Sequence, residues 1–285
     1  MTSSSRHGPR STITGEMDDE AARTEEWRSM LTGENDTLKR LRRYWKLLPS
    51  SPRCKVCAAP FHGPGKLATS IILHGQSKLN PMLCGMCFGK LRQEPGGAEV
   101  EVSVLFADVR GSTGLAEKTT SVEFRALLQR FYSIAGSAIE RNGGVVDKFL
   151  GDGIMALFIP VVAGERHAAR AITAGQELLE ETERSELTAK GVRVGVGVQT
   201  GTAFVGVLGI DEKLDFTALG DTVNVAARLG SVAGPGELLV SRTAWEAAAL
   251  PLDEAARREI EISGREGLLE IVVDRPGLAV ATTAA

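Results

Sequence analysis

No stretch of this 285-residue chain is apolar for long enough to cross a bilayer, which takes about 18 consecutive apolar residues. The longest candidate runs from Gly153 to Gly164, is shorter than that, and carries Pro160. The first twenty residues lack the apolar core of a secretory leader. A cytoplasmic protein with no membrane partner is the expectation. Charge of one sign is also lacking: 33 Lys and Arg stand against 36 Asp and Glu, a net charge of −3. A dedicated nucleic-acid binder shows a basic excess, so no nucleic-acid partner is expected. Internal repeats are absent. Cysteine is scarce, with four in all, and these fall into two pairs, Cys54 with Cys57 and Cys84 with Cys87. In a cytosolic chain that pairing suggests metal ligands more than disulfides. What remains is 43% hydrophobic and 24% charged, the make-up of an ordinary globular protein.

The texture of the chain changes along its length. Residues 1–20 are rich in Ser, Thr and Gly without a hydrophobic period and read as a disordered tail. Residues 21–52 read as a helical segment broken near Thr32-Gly33. There Leu31, Leu38, Leu41, Trp45 and Leu48 share one helical face, and Lys39, Arg40, Arg42, Arg43 and Lys46 form an opposite, solvated face. Pro49 and Pro52 end the segment. Residues 53–92 hold the cysteine pairs in a Gly/Pro-rich stretch, and a short linker follows. Val100 to Val109 reads as a strand and 121–141 as a helix ending at Asn142-Gly143-Gly144. Val145 to Phe149 and Ile154 to Phe158 form a hairpin around Gly151-Asp152-Gly153. A helix at about 165–184 precedes a second hairpin, with Val192 to Gln199 and Thr202 to Leu208 as its arms. Short helices at 222–230 and 242–249 flank a strand at Leu238 to Val240, and 257–273 holds two β-like runs. This interleaving predicts an α+β fold with a mixed, mostly antiparallel sheet. The last residues, 276–285, read as a second disordered tail.

Two aspartates stand where chemistry is expected. Asp108 ends an apolar strand and precedes Val109-Arg110-Gly111-Ser112-Thr113-Gly114, a small-residue turn able to aim backbone N–H groups at phosphate oxygens. Asp152 sits at the tip of the first hairpin. If their strands are neighbours, the two carboxylates meet at one sheet edge, as in sites where two divalent cations handle a triphosphate. Each aspartate alone, next to a glycine, reads equally well as a turn residue.

Three longer motifs change that balance. Leu105-Phe106-Ala107-Asp108-Val109-Arg110-Gly111-Ser112-Thr113 resembles the first metal motif of class III nucleotide cyclases. Asp147-Lys148-Phe149-Leu150-Gly151-Asp152-Gly153-Ile154-Met155-Ala156 resembles the second. Ala218-Leu219-Gly220-Asp221-Thr222-Val223-Asn224-Val225-Ala226-Ala227-Arg228-Leu229 resembles the third. They occur in the family's order and cover about residues 99–273, within a catalytic domain bounded at 98–275.

The resemblance implies a ferredoxin-like, palm-type α+β domain and a set of roles. Asp108, Asp152 and the Val109 carbonyl match ligands of two Mg²⁺ or Mn²⁺ ions per active site. One ion would activate the ribose 3′-hydroxyl and the other would hold the triphosphate. Gly111, Ser112 and Thr113 match the triphosphate-cradling turn, and Arg265 matches, in a shorter motif, a basic residue near the triphosphate. Arg228 matches the residue that stabilises charge on the α-phosphate, a task suited to a permanently charged fork of donors. Asn224, four residues earlier and so on the same helical face, matches the ribose-positioning residue. Lys148 and Thr217 match the base-reading pair. Guanylate cyclases of the family typically carry Glu and Cys there, so the pair favours adenine and resembles a subgroup that includes bicarbonate-responsive enzymes. The implied activity is adenylate cyclase, converting ATP to 3′,5′-cyclic AMP and pyrophosphate in a signalling role. The implied assembly is a head-to-tail homodimer with shared sites, touching through Gly209 to Phe216. A cyclase for GTP or a pyrimidine nucleotide is the first alternative, and a non-catalytic nucleotide-sensing dimerisation module the second.

Cys54-Lys55-Val56-Cys57 and Cys84-Gly85-Met86-Cys87 are two C-x₂-C knuckles separated by 26 residues. Four thiolates suit tetrahedral Zn²⁺, so a small four-cysteine, zinc-ribbon-like module with a structural Zn²⁺ is expected. An iron–sulfur cluster, a redox switch and unligated thiols are the alternatives. His62 and His74 are available as substitute ligands.

Overall fold

The computed structural model describes residues 11–48, 52–63, 65–66, 75–77, 83–93, 95–210, 213–251, 256–261 and 267–276. Its centre is strand β1 (Gly97–Val109). Its odd positions Leu105, Ala107 and Val109 pack into one core and its even positions Val100, Val102 and Val104 into another. Alternate side chains point to opposite faces of a strand, so a run apolar at both parities is covered on both sides. Neighbouring strands are β2 (Val145–Leu150), β3 (Gly153–Phe158) and β4 (Val194–Ile210). The sheet continues through β5 (Lys213–Leu219), β6 (Leu238–Ser241), β7 (Arg257–Glu261) and β8 (Leu268–Asp274). The order is β2-β3-β1-β4-β6-β8-β7, with β5 paired to the far end of β4. Every pairing is antiparallel except β4 with β6. This is the mixed, mostly antiparallel α+β sheet expected from the sequence.

The helices divide between the two faces. Those N-terminal to β1 are α1 (Ser11–Thr32), α2 (Asp36–Lys46) and α3 (Gly85–Gln93). After β1 come α4 (Ser112–Lys118), α5 (Ser121–Arg141), α6 (His167–Arg184), α7 (Asp221–Val232) and α8 (Arg242–Ala247). Thr120 and Glu123 close a capping box at the start of α5, which satisfies two backbone donors there. Helices α5 and α6 bury Phe131, Ile139, Ile172 and Leu178 against one sheet face. Full burial of such a side chain contributes about 1.5–3 kcal/mol. On the other face, Trp27, Leu31 and Trp45 of α1 and α2 join Phe61, Phe88 and the cysteines over Val100, Val102 and Val104. The amphipathic N-terminal segment is therefore a cover for the sheet.

Three features differ from the sequence reading. Helix α1 starts at Ser11, inside the stretch read as a disordered tail. Its last turns are anchored by buried Trp27 and Leu31, and a helix already nucleated propagates cheaply into polar sequence. The second hairpin is instead one uninterrupted 17-residue strand, β4. Thr200 and Gly201, which fall between the two expected arms, pair in register with Ser103 and Val102 of β1, whose ladder holds the backbone extended. The true hairpin lies further on, between β4 and β5, where Ile210 faces Lys213. Finally, Arg42 is buried rather than solvated. The break between α1 and α2 falls at Gly33, where φ is +79°, as Thr32-Gly33 suggested. Residues 1–10 and Arg265 lie outside the described residues, as does the final tail beyond Pro276.

Candidate active site and cysteine cluster

Asp108 stands at the C-terminal end of β1, where its register partner on β3 is Gly153. The backbone N–H of Val109 donates to the carbonyl of Asp152 at 3.1 Å. The two aspartates therefore meet at one sheet edge because β1 and β3 are neighbours. Gly151, at φ +70°, supplies the left-handed residue that the β2–β3 turn requires. Tyr132 of α5 donates its hydroxyl to the Gly151 carbonyl, and Ser112 donates to the Asp152 carboxylate. Both bonds hold the turn that presents Asp152.

The corner is built for positive charge. Burial pushes the Asp108 carboxyl above its ordinary value, the Arg110 guanidinium opposes this, and Asp152 adds to it. Asp108 Oδ2 accepts from Arg110, whose other donors reach the carbonyls of Ser231 at 2.6 Å and Ala233 at 3.5 Å. Asp108 Oδ1 is buried with no hydrogen-bond partner. A buried carboxylate oxygen without a donor is costly, and a cation is the partner that removes the cost. Arg110 supplies part of it, and the orphaned oxygen leaves room for a metal ion as the rest. The donor set here is all oxygen: two carboxylates and nearby carbonyls. That is the chemistry of Mg²⁺ or Mn²⁺.

A second group gathers at β2 and β5. The pairing of β2 with β3 skips between Val146 and Lys148, leaving Asp147 in a bulge. A bulge re-aims side chains. Here the Asp147 carboxylate is buried and accepts from the hydroxyl of Thr217 at 2.7 Å. Lys148 Nζ lies 3.1 Å from Asp215 and 3.6 Å from Asp147. Burial opposes the charge on Lys148, but the two carboxylates outweigh it and hold its pKa above the ordinary value. Asp147 and Asp215 are the residues that sequence reasoning missed. The only signal for Asp147 was its place beside Lys148; its buried pairing depends on β5, 70 residues away.

Asn224 and Arg228 lie one turn apart on α7, and among the described residues their side chains make no ion pair or side-chain hydrogen bond. Helix α7 sits unusually close to the sheet. A Cβ on Gly197 of β4 would fall 2.2 Å from the backbone N of Gly230, and one on Gly230 would fall 2.9 Å from Phe106 Cβ. The two glycines let the helix approach β1 and β4. Among the described residues no hydrogen bond or ion pair joins Asp108 or Asp152 to Lys148, Thr217, Asn224 or Arg228.

The four cysteines converge. All their Sγ atoms lie within 4.8 Å of one another, none forms a disulfide, and Cys57 and Cys84 Sγ are 3.7 Å apart. Tetrahedral Zn²⁺ with Zn–S bonds near 2.3 Å places sulfurs about 3.8 Å apart. Backbone N–H groups of Cys84 and Cys87 point at Cys54 and Cys84 sulfurs, at 3.3 and 3.4 Å. The Arg42 guanidinium donates to the carbonyls of Lys55 and Val56; burial holds its pKa below the ordinary value, and Cys54, Cys57 and Cys87 oppose that shift. Lys55, inside the first knuckle, donates to the Val146 carbonyl of β2, and burial lowers its pKa to about 8. The cysteine module is thus tied to the strand that carries Asp147 and Lys148.

Residues 97–274 match the family model described as the adenylate and guanylate cyclase catalytic domain. The chain is 36% identical over 143 residues to an adenylate cyclase of Anabaena cylindrica, which covers 48% of this chain and 28% of that protein. It is 35% identical over 134 residues to adenylate cyclase 1 of Rhizobium meliloti, covering 45% of this chain and 20% of that one. Among solved structures, a guanylyl cyclase superposes with a TM-score of 0.58 at 27% identity, covering 65% of this chain and 98% of that one. The adenylyl cyclase CyaB from P. aeruginosa superposes with a TM-score of 0.55 at 27% identity, over 62% of this chain and 96% of that one. With the metal-type corner, the bulged β2 and the closely packed α7 all inside the matched span, this chain belongs to the class III adenylate and guanylate cyclase family.

Proposed function

We propose that the chain is an adenylate cyclase that converts ATP to 3′,5′-cyclic AMP and pyrophosphate. The observation that carries the choice of base is the bond from Thr217 to Asp147. It commits the Thr217 proton, so the hydroxyl oxygen meets a ligand as an acceptor. Adenine offers an amino donor at the corresponding edge, whereas guanine offers the O6 acceptor. Lys148, kept charged by its carboxylate neighbours, donates to adenine N1. Lys and Thr thus supply one donor and one acceptor, the complement of adenine. Guanine, with O6 facing the Thr217 oxygen, would set acceptor against acceptor.

Asp108, Asp152 and the Val109 carbonyl would hold two Mg²⁺ or Mn²⁺ ions. When bound, these ions supply Lewis-acid activation of the 3′-hydroxyl and neutralisation of the triphosphate. Gly111, Ser112 and Thr113 at the start of α4 place backbone N–H groups for the phosphates, and Arg265 is proposed to add charge there. Asn224 orients the ribose. Arg228 donates to the α-phosphate as charge builds on it, which a preorganised guanidinium does without reorganising. A head-to-tail homodimer whose sites draw on both chains is proposed, with the metal aspartates from one chain and Asn224 and Arg228 from the other. Ile210, Leu219 and Val232 are large apolar side chains left exposed on the β4–β5 hairpin and α7, and a partner would cover them.

The deciding experiment incubates purified protein with each of the four ribonucleoside triphosphates and Mg²⁺ or Mn²⁺ and identifies products by mass. Cyclic AMP should dominate. A preference for GTP or a pyrimidine nucleotide would replace the adenine reading, and no cyclic product from any of them would remove the enzyme reading.

The four-cysteine cluster is proposed to hold a structural Zn²⁺, supported by the sulfur spacing. Purified protein should carry about one zinc per chain by elemental analysis. Cys84→Ser should lose it and lower the melting temperature, because a metal that binds only the folded module contributes its binding energy to folding. Metal-free protein with an unchanged melting temperature would sink this.

A further inference from the structure

A cavity of about 540 Å³ lies between α2, the first cysteine knuckle, the C-terminal end of α5 and the start of β2. It is distinct from the metal corner and from Lys148 and Thr217. Its wall is strongly basic. Arg42, Lys46, Arg53, Lys55, Arg141 and Arg170 line it, against the single carboxylate of Glu140.

Not all these cations are available. Arg141 is paired with Glu177 and Glu181. Arg42 donates to the knuckle carbonyls, Lys55 to Val146, and Arg53 to the carbonyls of Trp45, Leu48 and Ala58. Those bonds satisfy donors but leave the positive charge in place. Lys46 and Arg170 differ: among the described residues their side chains make neither an ion pair nor a hydrogen bond. Arg170 lies over Gly143, where a Cβ would come within 2.9 Å of its Nη1. Gly143 is required by its φ of +75° at the end of α5, and the missing side chain is the space the guanidinium occupies. Burial and the like charges of Arg42, Arg170 and Arg53 hold the Lys46 ammonium below its ordinary pKa. Glu140 and Cys54 also line the wall, but the cations outnumber them, and like charges in excess attract an anion.

We propose that this cavity is a binding site for a phosphate-bearing small molecule of more than one negative charge, held by Lys46 and Arg170 and clamping the cysteine module to the catalytic sheet. A monoanion would leave most of the charge uncompensated. Guanidinium forks match phosphate oxygens, often bidentately. The volume falls within the range of small-ligand pockets, enough for an inorganic polyphosphate or a nucleotide.

Inorganic tripolyphosphate is the probe, titrated by calorimetry into the 285-residue protein without added divalent ions, with ADP in a parallel arm. Tripolyphosphate should bind wild type and Asp108→Ala equally, and Lys46→Gln/Arg170→Gln should weaken it roughly tenfold or more. Tighter binding of ADP than of tripolyphosphate, lost in the same double variant, would identify a nucleotide as the occupant. The double variant should fold, since both side chains are exposed. Without anion its melting temperature should equal or exceed that of wild type, and tripolyphosphate should raise it less. Equal affinity in wild type and the double variant would overturn the proposal. So would loss of binding in Asp108→Ala, or tighter binding of a short oligonucleotide than of tripolyphosphate.

Discussion

Asp108→Ala should lower cyclisation about a thousandfold or more, in Mg²⁺ and in Mn²⁺, with little change in melting temperature. A thousandfold corresponds to roughly 4 kcal/mol of transition-state stabilisation, within what charge neutralisation at a reacting phosphate supplies. The expectation of intact folding comes from the structure. Asp108 Oδ1 is buried without a partner, and burial disfavours its charge. Removing the carboxylate takes away a desolvation cost along with its bond to Arg110, and the two offset. Arg110 keeps its bonds to the Ser231 and Ala233 carbonyls, so it is not stranded. Steady-state rates paired with a thermal melt test this. A rate within tenfold of wild type would remove Asp108 from the metal site, and a lost melting transition would make it a structural residue.

The second large effect joins two variants. Arg228→Ala should cost about 10²–10³ in kcat, the usual range for removing one preorganised donor to developing charge. That side chain makes no ion pair or hydrogen bond among the described residues, so the loss is expected in rate rather than in melting temperature. When the two inactive variants are mixed and allowed to exchange partners, activity should return to about one quarter of wild type. Random pairing makes half the dimers mixed, and each mixed dimer has one site free of both substitutions. No recovery after verified exchange would mean that each site is complete within one chain, and the head-to-tail assembly would be withdrawn.

Much of the catalytic domain was legible because its signals are local. The β2–β3 hairpin is written in two short apolar runs around Gly151-Asp152-Gly153, and α5 in a 3.6-residue apolar period that ends at Asn142-Gly143-Gly144. Those signals need no distant partner. The errors arose where local and tertiary forces disagree. Thr200-Gly201 falls where a turn between two arms is expected, yet the β1 ladder holds it extended inside β4. The polar start of α1 has no amphipathic stripe, yet it continues a helix anchored at Trp27 and Leu31. Arg42 has the spacing of a solvated face, but the knuckle carbonyls of Lys55 and Val56 draw it into the interior.

By itself the sequence determined the α+β class, the family motifs and the identity of the candidate chemical groups, because strand alternation, turn chemistry and motif order are properties of neighbouring residues. Only the tertiary structure decided which of those groups meet. It paired Asp108 with the Asp152 turn and set the Thr217 hydroxyl against the Asp147 carboxylate. It also drew four sulfurs separated by up to 33 positions into one cluster, and it left Lys46 and Arg170 on a cavity wall where cations outnumber carboxylates. Each of these rests on burial and on contacts between segments far apart in the chain, which no local pattern encodes.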